Sequence, residues 1–130
     1  DVITALEKIG GLSRVRLSSI EAGDVSDRLI RKMAQSDAAC QQTAKLCRHL
    51  HIPVQSGDDE ILKKMNRQYT SNVYLKLIKK IRNKIPQIAI STDVLVGFPG
   101  EKEENFQNTV KLRLKIFAFS EKSIMFVMKL

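Results

Sequence analysis

This chain has little of what staples, breaks or anchors a protein. Its only cysteines are Cys40 and Cys47. So few exclude a disulfide scaffold, and with no second pair to complete a metal site, ordinary reduced thiols are expected. Three prolines and six glycines are too few for a disordered or collagen-like chain. No apolar run approaches the ~20 residues of a bilayer span, and no signal peptide opens the sequence. A soluble, cytoplasmic chain without a membrane partner is expected. Acidic residues are also in deficit, 14 Asp and Glu against 22 Lys and Arg, for a net charge of +8. Such a surface attracts polyanions; its charge permits RNA without proving it.

What is present is patterned. With 130 residues, 43% of them hydrophobic, the chain can bury one core. Residues 1–10 read as the end of a helix with Val2, Ile3, Leu6 and Ile9 on one face, stopped by Gly10-Gly11. Residues 14–20 alternate as a strand, with Glu21 at its carboxyl end. Asp24 or Ser26 can cap a helix carrying Val25, Leu29, Ile30, Met33 and Ala34, and 36–45 reads as a loop.

The second strand, 46–54, sets Leu46, Leu50, Ile52 and Val54 against Cys47, His49 and His51, with Gln55 next on that face. Two helical segments follow, 58–67 and 71–84. The second carries Val73, Tyr74, Leu77, Ile78 and Ile81 on its apolar face, and Lys76, Lys79, Lys80, Arg82 and Lys84 outside. That basic face could hold RNA phosphates or simply be solvated. A β-branched strand at 88–96 ends at Gly97, where Gly97-Phe98-Pro99-Gly100 reads as a tight turn. Glu101, Glu103 and Glu104 open a helix carrying Phe106, Val110, Leu114 and Phe117, and 123–128 is a last strand. Strands alternating with helices predict an α/β fold with parallel strands and right-handed crossovers. A complete (β/α)8 barrel takes about 250 residues, so this chain is either a small open sheet or roughly half a barrel.

Four side chains stand out. Glu21 and Gln55 fall at strand carboxyl ends, Asp93 within the next strand, and Arg67 after the helix that follows Gln55. Two carboxylates, an amide and a guanidinium suit a zwitterionic nucleoside ligand, and they suit a structural ion-pair network equally well. Cys47, His49 and His51 share a strand face. They could bind a metal, but a polar barrel interior beside a ligand site is the expectation.

Taken together, the segments Arg16-Leu17-Ser18-Ser19-Ile20-Glu21, His49 to Gly57, Met65-Asn66-Arg67-Gln68-Tyr69-Thr70 and Thr92 to Glu101 resemble the radical S-adenosylmethionine (SAM) methylthiotransferases that modify tRNA. The resemblance runs over nearly the whole chain. It implies that 1–130 is the carboxyl-terminal part of a TIM-like radical SAM barrel. The Ser-Ser-Ile-Glu form is more similar to the threonylcarbamoyladenosine branch than to the isopentenyladenosine branch, and the isopentenyladenosine or ribosomal-protein branch is the runner-up within the family. The resemblance also implies SAM contacts at Glu21, Gln55, Arg67 and Asp93, with strand backbone at Asp93, Leu95 and Gly97 beside the adenine. In such enzymes a reduced [4Fe-4S] cluster cleaves SAM, and a methylthio group is placed on the adenine ring of a hypermodified adenosine next to the anticodon. The implied partners are SAM, the tRNA anticodon stem-loop and the amino-terminal half of the same barrel.

Three departures from the family pattern bear on activity. The CxxxCxxC segment that holds the cluster is absent, the carboxyl-terminal RNA-binding domain is missing, and Ser123 to Met128 has drifted from a Tyr-Ser-x-Arg-like ending. No residue of this chain is therefore expected to be a metal ligand or catalytic, and the chain alone is expected to be inactive. A truncated remnant or a plain basic RNA-binding domain is the alternative from another class. Lys102 stands where the family has a capping Thr, which predicts a weaker helix start.

Overall fold

The computed structural model describes residues 2–38, 45–118 and 123–129; Cys40 lies outside them. The order is α1 (Val2–Glu7), a 3-10 turn (Ala22–Asp24), α2 (Asp27–Ala38), β1 (His49–His51), α3 (Asp59–Lys64), α4 (Ser71–Lys84), β2 (Ala89–Val96), α5 (Glu103–Phe117) and β3 (Ser123–Lys129). Among the described residues the strands form one parallel sheet in sequential order, β1-β2-β3. Sequential parallel strands with helical crossovers are how a barrel winds; a doubly wound sheet would reverse its strand order at a switch point. The fold is α/β, an arc of a TIM-like barrel.

The predicted strand 14–20 is the first correction. It touches the sheet through a single parallel bridge, Val15 to Leu46, flanked by Val15 N–H to Lys45 O at 2.7 Å and Cys47 N–H to Val15 O at 2.8 Å. Ser19 has φ 47°, which breaks the two-residue alternation expected there. Val15, Leu17 and Ile20 consequently all pack against the core. The second strand is likewise shorter than predicted, although its sidedness holds: Leu46, Leu50, Ile52 and Val54 are buried while Cys47, His49, His51 and Gln55 are half-buried. In α1, Val2 and Ile9 beyond it are exposed and only Ile3 packs against the core. Ser26 caps α2, its Oγ accepting from Leu29 N–H at 3.2 Å, and that helix runs to Ala38 instead of dissolving at Ser36.

Helix α4 has the predicted bounds, but two of its residues change sides. Val73 is exposed and Arg82 is buried. Arg82 Nη1 donates to Ile116 O at 3.4 Å and Nη2 donates to Ser123 Oγ, which ties α4 to the end of α5 and the start of β3. The buried face of α5 is Thr109, Leu112 and Ile116; Phe106 and Leu114 of the predicted stripe are exposed. The cause is polar. Thr109 Oγ1 accepts from Gly57 N–H at 2.9 Å and meets Ser56 Oγ at 3.3 Å, so a threonine faces the loop after β1.

The weak start of α5 is as expected. Lys102 has extended backbone and its side chain makes no cap bond, while Asn105 Oδ1 accepts from Lys102 N–H at 2.9 Å. Half of the reciprocal pair is in place. Lys102→Thr, which supplies the missing acceptor, should stabilise the chain by about 1 kcal/mol in a denaturant melt.

Helix α3 starts differently. Asp58 Oδ1 accepts from Glu60 and Ile61 N–H at 3.0 and 3.1 Å, and Oδ2 accepts from Asn108 at 2.8 Å. Burial pushes its pKa up, but the Asn108, Asn105 and backbone hydrogen bonds outweigh that and hold it below the ordinary value of 3.8. A depressed folded pKa means that this stabilisation is complete above the unfolded value and is lost as pH falls through the folded one. Asp58→Ala should therefore cost about 2 kcal/mol at neutral pH and lose its effect in melts taken well below pH 3.8.

A candidate nucleoside site at the strand carboxyl ends

The register of the sheet places the predicted site. His49 pairs with Ala89 and His51 with Ser91, while Asp93 on β2 pairs with Phe126 on β3. Paired residues of a parallel sheet project to the same side, so His49, His51, Ser91 and Asp93 share one face. The opposite face carries Leu50, Ile52, Ile90 and Val94, all buried among the helices.

Gln55 stands just past β1 in an unusual backbone. Its N–H and that of Val54 both donate to Asp93 O, at 2.9 and 3.2 Å, and its carbonyl accepts from Leu95 N–H at 2.8 Å. Two residues opposite one make a bulge, and Gln55 adopts φ 67° within it. A left-handed glutamine is uncommon and costs of order 1 kcal/mol or more, a cost that concentrates where function needs a side chain re-aimed.

Arg67 is placed by the end of α3. Asn66 has φ 57°, the left-handed residue that closes a helix, and Arg67 N–H donates back to Leu62 O at 2.9 Å. Asparagine tolerates this conformation better than most side chains, so the Asn-Arg pair is a helix stop that presents an arginine. Arg67 Nη1 donates to Glu21 Oε1, while Arg67 Nε is buried without a hydrogen-bond partner among the described residues. Tyr69 fixes the floor beside this pair, its hydroxyl donating to Pro53 O at 3.2 Å. Burial, with the Glu21 carboxylate adding to it, pushes the Tyr69 pKa up.

The four singled-out residues thus gather in two pairs. Glu21 meets Arg67; Gln55 meets Asp93 through the backbone. Asp93 Oδ2 also accepts from His51 Nε2 at 3.1 Å. Leu95 follows along β2 and Gly97 stands just past its end, and their amides are engaged: Leu95 by Gln55, and Gly97 by Glu101 Oε2 at 2.5 Å. Sequence reasoning missed Tyr69 and the partners of His51. The signal available for the latter was the odd-numbered polar set Ser91 and Asp93, in phase with His49 and His51.

Two ligands can be weighed against these residues. A zwitterionic nucleoside fits: an orphaned guanidinium N–H seeks an acceptor, and two carboxylates and an amide stand at the same end of the sheet. An iron–sulfur cluster does not. Among the described residues Cys47 is the free cysteine, and no group of three or more His, Cys, Asp or Glu is arranged to hold a metal.

Together the fold and these residues define a barrel-type α/β protein with a candidate ligand site at the carboxyl ends of its parallel strands. The model of the radical SAM superfamily matches residues 3–113, and the chain belongs to that superfamily. It is 46% identical over 112 residues to the tRNA-2-methylthio-N(6)-dimethylallyladenosine synthase of Alkaliphilus oremlandii, covering 86% of this chain and 22% of that protein. With the corresponding synthase of a Thermoanaerobacter species the identity is 50% over 107 residues, 82% of this chain and 21% of that protein. A threonylcarbamoyladenosine tRNA methylthiotransferase of Thermotoga maritima is 40% identical over 127 residues, 92% of this chain and 28% of that protein. The chain therefore spans about a quarter of the length of the curated relatives it matches. No helix among the described residues is long and apolar enough to cross a membrane.

Proposed function

We propose that this chain forms the SAM-binding arc of a cytoplasmic tRNA methylthiotransferase, its sequence being the carboxyl-terminal part of the radical SAM barrel. One observation carries the reading: the left-handed bulge at Gln55 opposite Asp93, a strained feature at the end of the sheet where such barrels bind ligands. In this reading Arg67 takes the SAM carboxylate, its Nε having no partner among the described residues. Glu21 and Asp93 accept from the amine or ribose hydroxyls, and Gln55 supplies an amide between them. The backbone around Leu95 and Gly97 lies against the adenine, which requires Glu101 to yield the Gly97 amide. The described residues would not hold the iron–sulfur cluster, which in an intact enzyme would supply the electron chemistry; their part would be to bind, orient and exclude water.

The substrate is a hypermodified adenosine next to the anticodon of tRNA. The Ser18-Ser19-Ile20-Glu21 sequence supports threonylcarbamoyladenosine. A second reading, dimethylallyladenosine, is supported by the higher identity to synthases of that class, 46% and 50% against 40%. Isothermal titration of SAM into the chain at low salt tests the site; a folded chain that gives no saturable heat would refute it. Mass analysis of nucleosides from tRNA treated with an intact enzyme carrying this arc separates the substrates. The methylthio group is expected on threonylcarbamoyladenosine, and finding it on dimethylallyladenosine would establish the second reading.

A further inference from the structure

The face shared by β1 and β2 holds an unbroken line of polar contacts that the ligand reading does not use. Arg16 Nε lies 3.2 Å from His49 Nδ1, and His49 Nε2 lies 3.0 Å from Ser91 Oγ. Ser91 Oγ lies 2.8 Å from His51 Nδ1, and His51 Nε2 lies 3.1 Å from Asp93 Oδ2. We propose that these five residues form a one-directional hydrogen-bond relay that holds Asp93 as an ionised acceptor facing the nucleoside, so that Ser91 and His51 are positioning residues of the site. The link to a ligand rests on the reading of Asp93 given above; the relay itself does not.

The direction follows from the chemistry of the two ends. An ionised carboxylate only accepts, so His51 Nε2 carries the proton at Asp93. In a neutral ring Nδ1 is then an acceptor, and Ser91 must donate to it. The Ser91 oxygen is left to accept from His49 Nε2–H, which makes His49 Nδ1 an acceptor for Arg16. Arginine only donates, so the line begins at a permanent donor and ends at a permanent acceptor. With both rings neutral, each link has one proton position. Arg16 Nη2 also lies 3.2 Å from His49 Nε2; with that nitrogen protonated, this is a contact of two donors and the Nε link is the hydrogen bond.

The surroundings favour neutral His49. Its own burial lowers its pKa most, and the positive charge of Arg16 and the neighbouring His51 lower it further. At the matching positions β3 contributes Ile124 opposite Ser91 and Phe126 opposite Asp93, neither titratable. Ser91 is buried, only 4% exposed, so water does not readily replace its hydroxyl. A second proton on His51 would reverse the line. Ser91 would have to turn its hydroxyl to His49, whose Nδ1–H would then confront the Arg16 N–H, donor against donor. With both rings neutral the relay thus runs one way only, from Arg16 to Asp93 as its terminal acceptor.

The test uses imidazole nitrogen–proton correlation spectra of the labelled 130-residue chain across a pH titration, for the wild type, Ser91→Ala and Ser91→Thr. Both histidines should carry Nε2–H at neutral pH. Ser91→Ala removes the donor to His51 Nδ1 and should erode the exclusive Nε2–H tautomer of His51. Ser91→Thr, which keeps the hydroxyl, should restore it. SAM titrated into the same samples at neutral pH should bind about fivefold more weakly to Ser91→Ala, and normally to Ser91→Thr. A wild-type His51 protonated at Nδ1 in its neutral form, or a tautomer indifferent to Ser91→Ala, overturns the relay. If Ser91→Ala does not fold, the wild-type tautomers decide. Spectra that match the relay in a chain that binds no SAM uphold the relay and refute the ligand reading instead.

Discussion

Arg67→Ala is expected to weaken SAM binding at least tenfold while leaving the melting temperature almost unchanged. The two effects separate because Arg67 does different work in each. In the ligand-free chain it pairs with Glu21, and the two side chains are 29% and 47% exposed. Ion pairs so open to water contribute about 0–1 kcal/mol, so their loss moves a melt by only a few degrees. Bound to a SAM carboxylate, the same guanidinium would make charge-assisted hydrogen bonds, its Nε being buried and without a partner among the described residues. Such bonds are worth about 1.5–3 kcal/mol each, tenfold or more in affinity. Arg67→Lys keeps the charge but not the planar fork and should fall between. Parallel titrations and melts check both quantities. Unchanged affinity in a folded Arg67→Ala chain would remove Arg67 from the site.

Gly57→Ala is expected to destabilise the chain by about 3 kcal/mol, lowering the melting temperature on the order of 10 °C. A Cβ at Gly57 would sit 2.5 Å from Thr109 Cα, 2.8 Å from Asn108 O and 2.9 Å from Thr109 N. These are backbone atoms of α5, so no rotamer change relieves the overlap; the helix must move away. Moving it also breaks the 2.9 Å bond from Gly57 N–H to Thr109 Oγ1 and the 2.8 Å contact between Asn108 and Asp58. The glycine is needed for close approach of two chain segments, one of the uses only this residue serves. A melting temperature within a degree or two of wild type would mean that α5 does not dock there.

These two substitutions fall on opposite sides of what was legible in the sequence. The four candidate residues could be named because they recur in motifs, and the period of two along a strand puts His49 and His51 on one face whatever the rest of the chain does. Helix α4 was legible to its ends because Thr70 caps it, its Oγ1 accepting from Val73 N–H at 3.3 Å, and Pro86 prevents continuation. The buried face of α5 was not. Phe106 and Leu114 have the more apolar side chains, and periodicity alone chooses them. The structure buries Thr109 because a hydroxyl is needed at Gly57 and Ser56, a demand set by residues some fifty positions away. Arg82 likewise reads as one more cation on a basic face until the end of α5 and β3 surround it.

By itself the sequence determined the class: alternating elements, a parallel sheet and membership of the radical SAM superfamily. These rest on local periodicity, capping and motif spacing, which neighbours along the chain are sufficient to specify. Only the tertiary structure decided how the ladder breaks at Ser19, how Gln55 bulges, which side of α5 is inside, and that Arg16, His49, Ser91, His51 and Asp93 stand in line. Each depends on a hydrogen-bond partner brought from far along the chain. A buried polar group must find its partner in space, and the distance along the sequence does not reveal which one it will be.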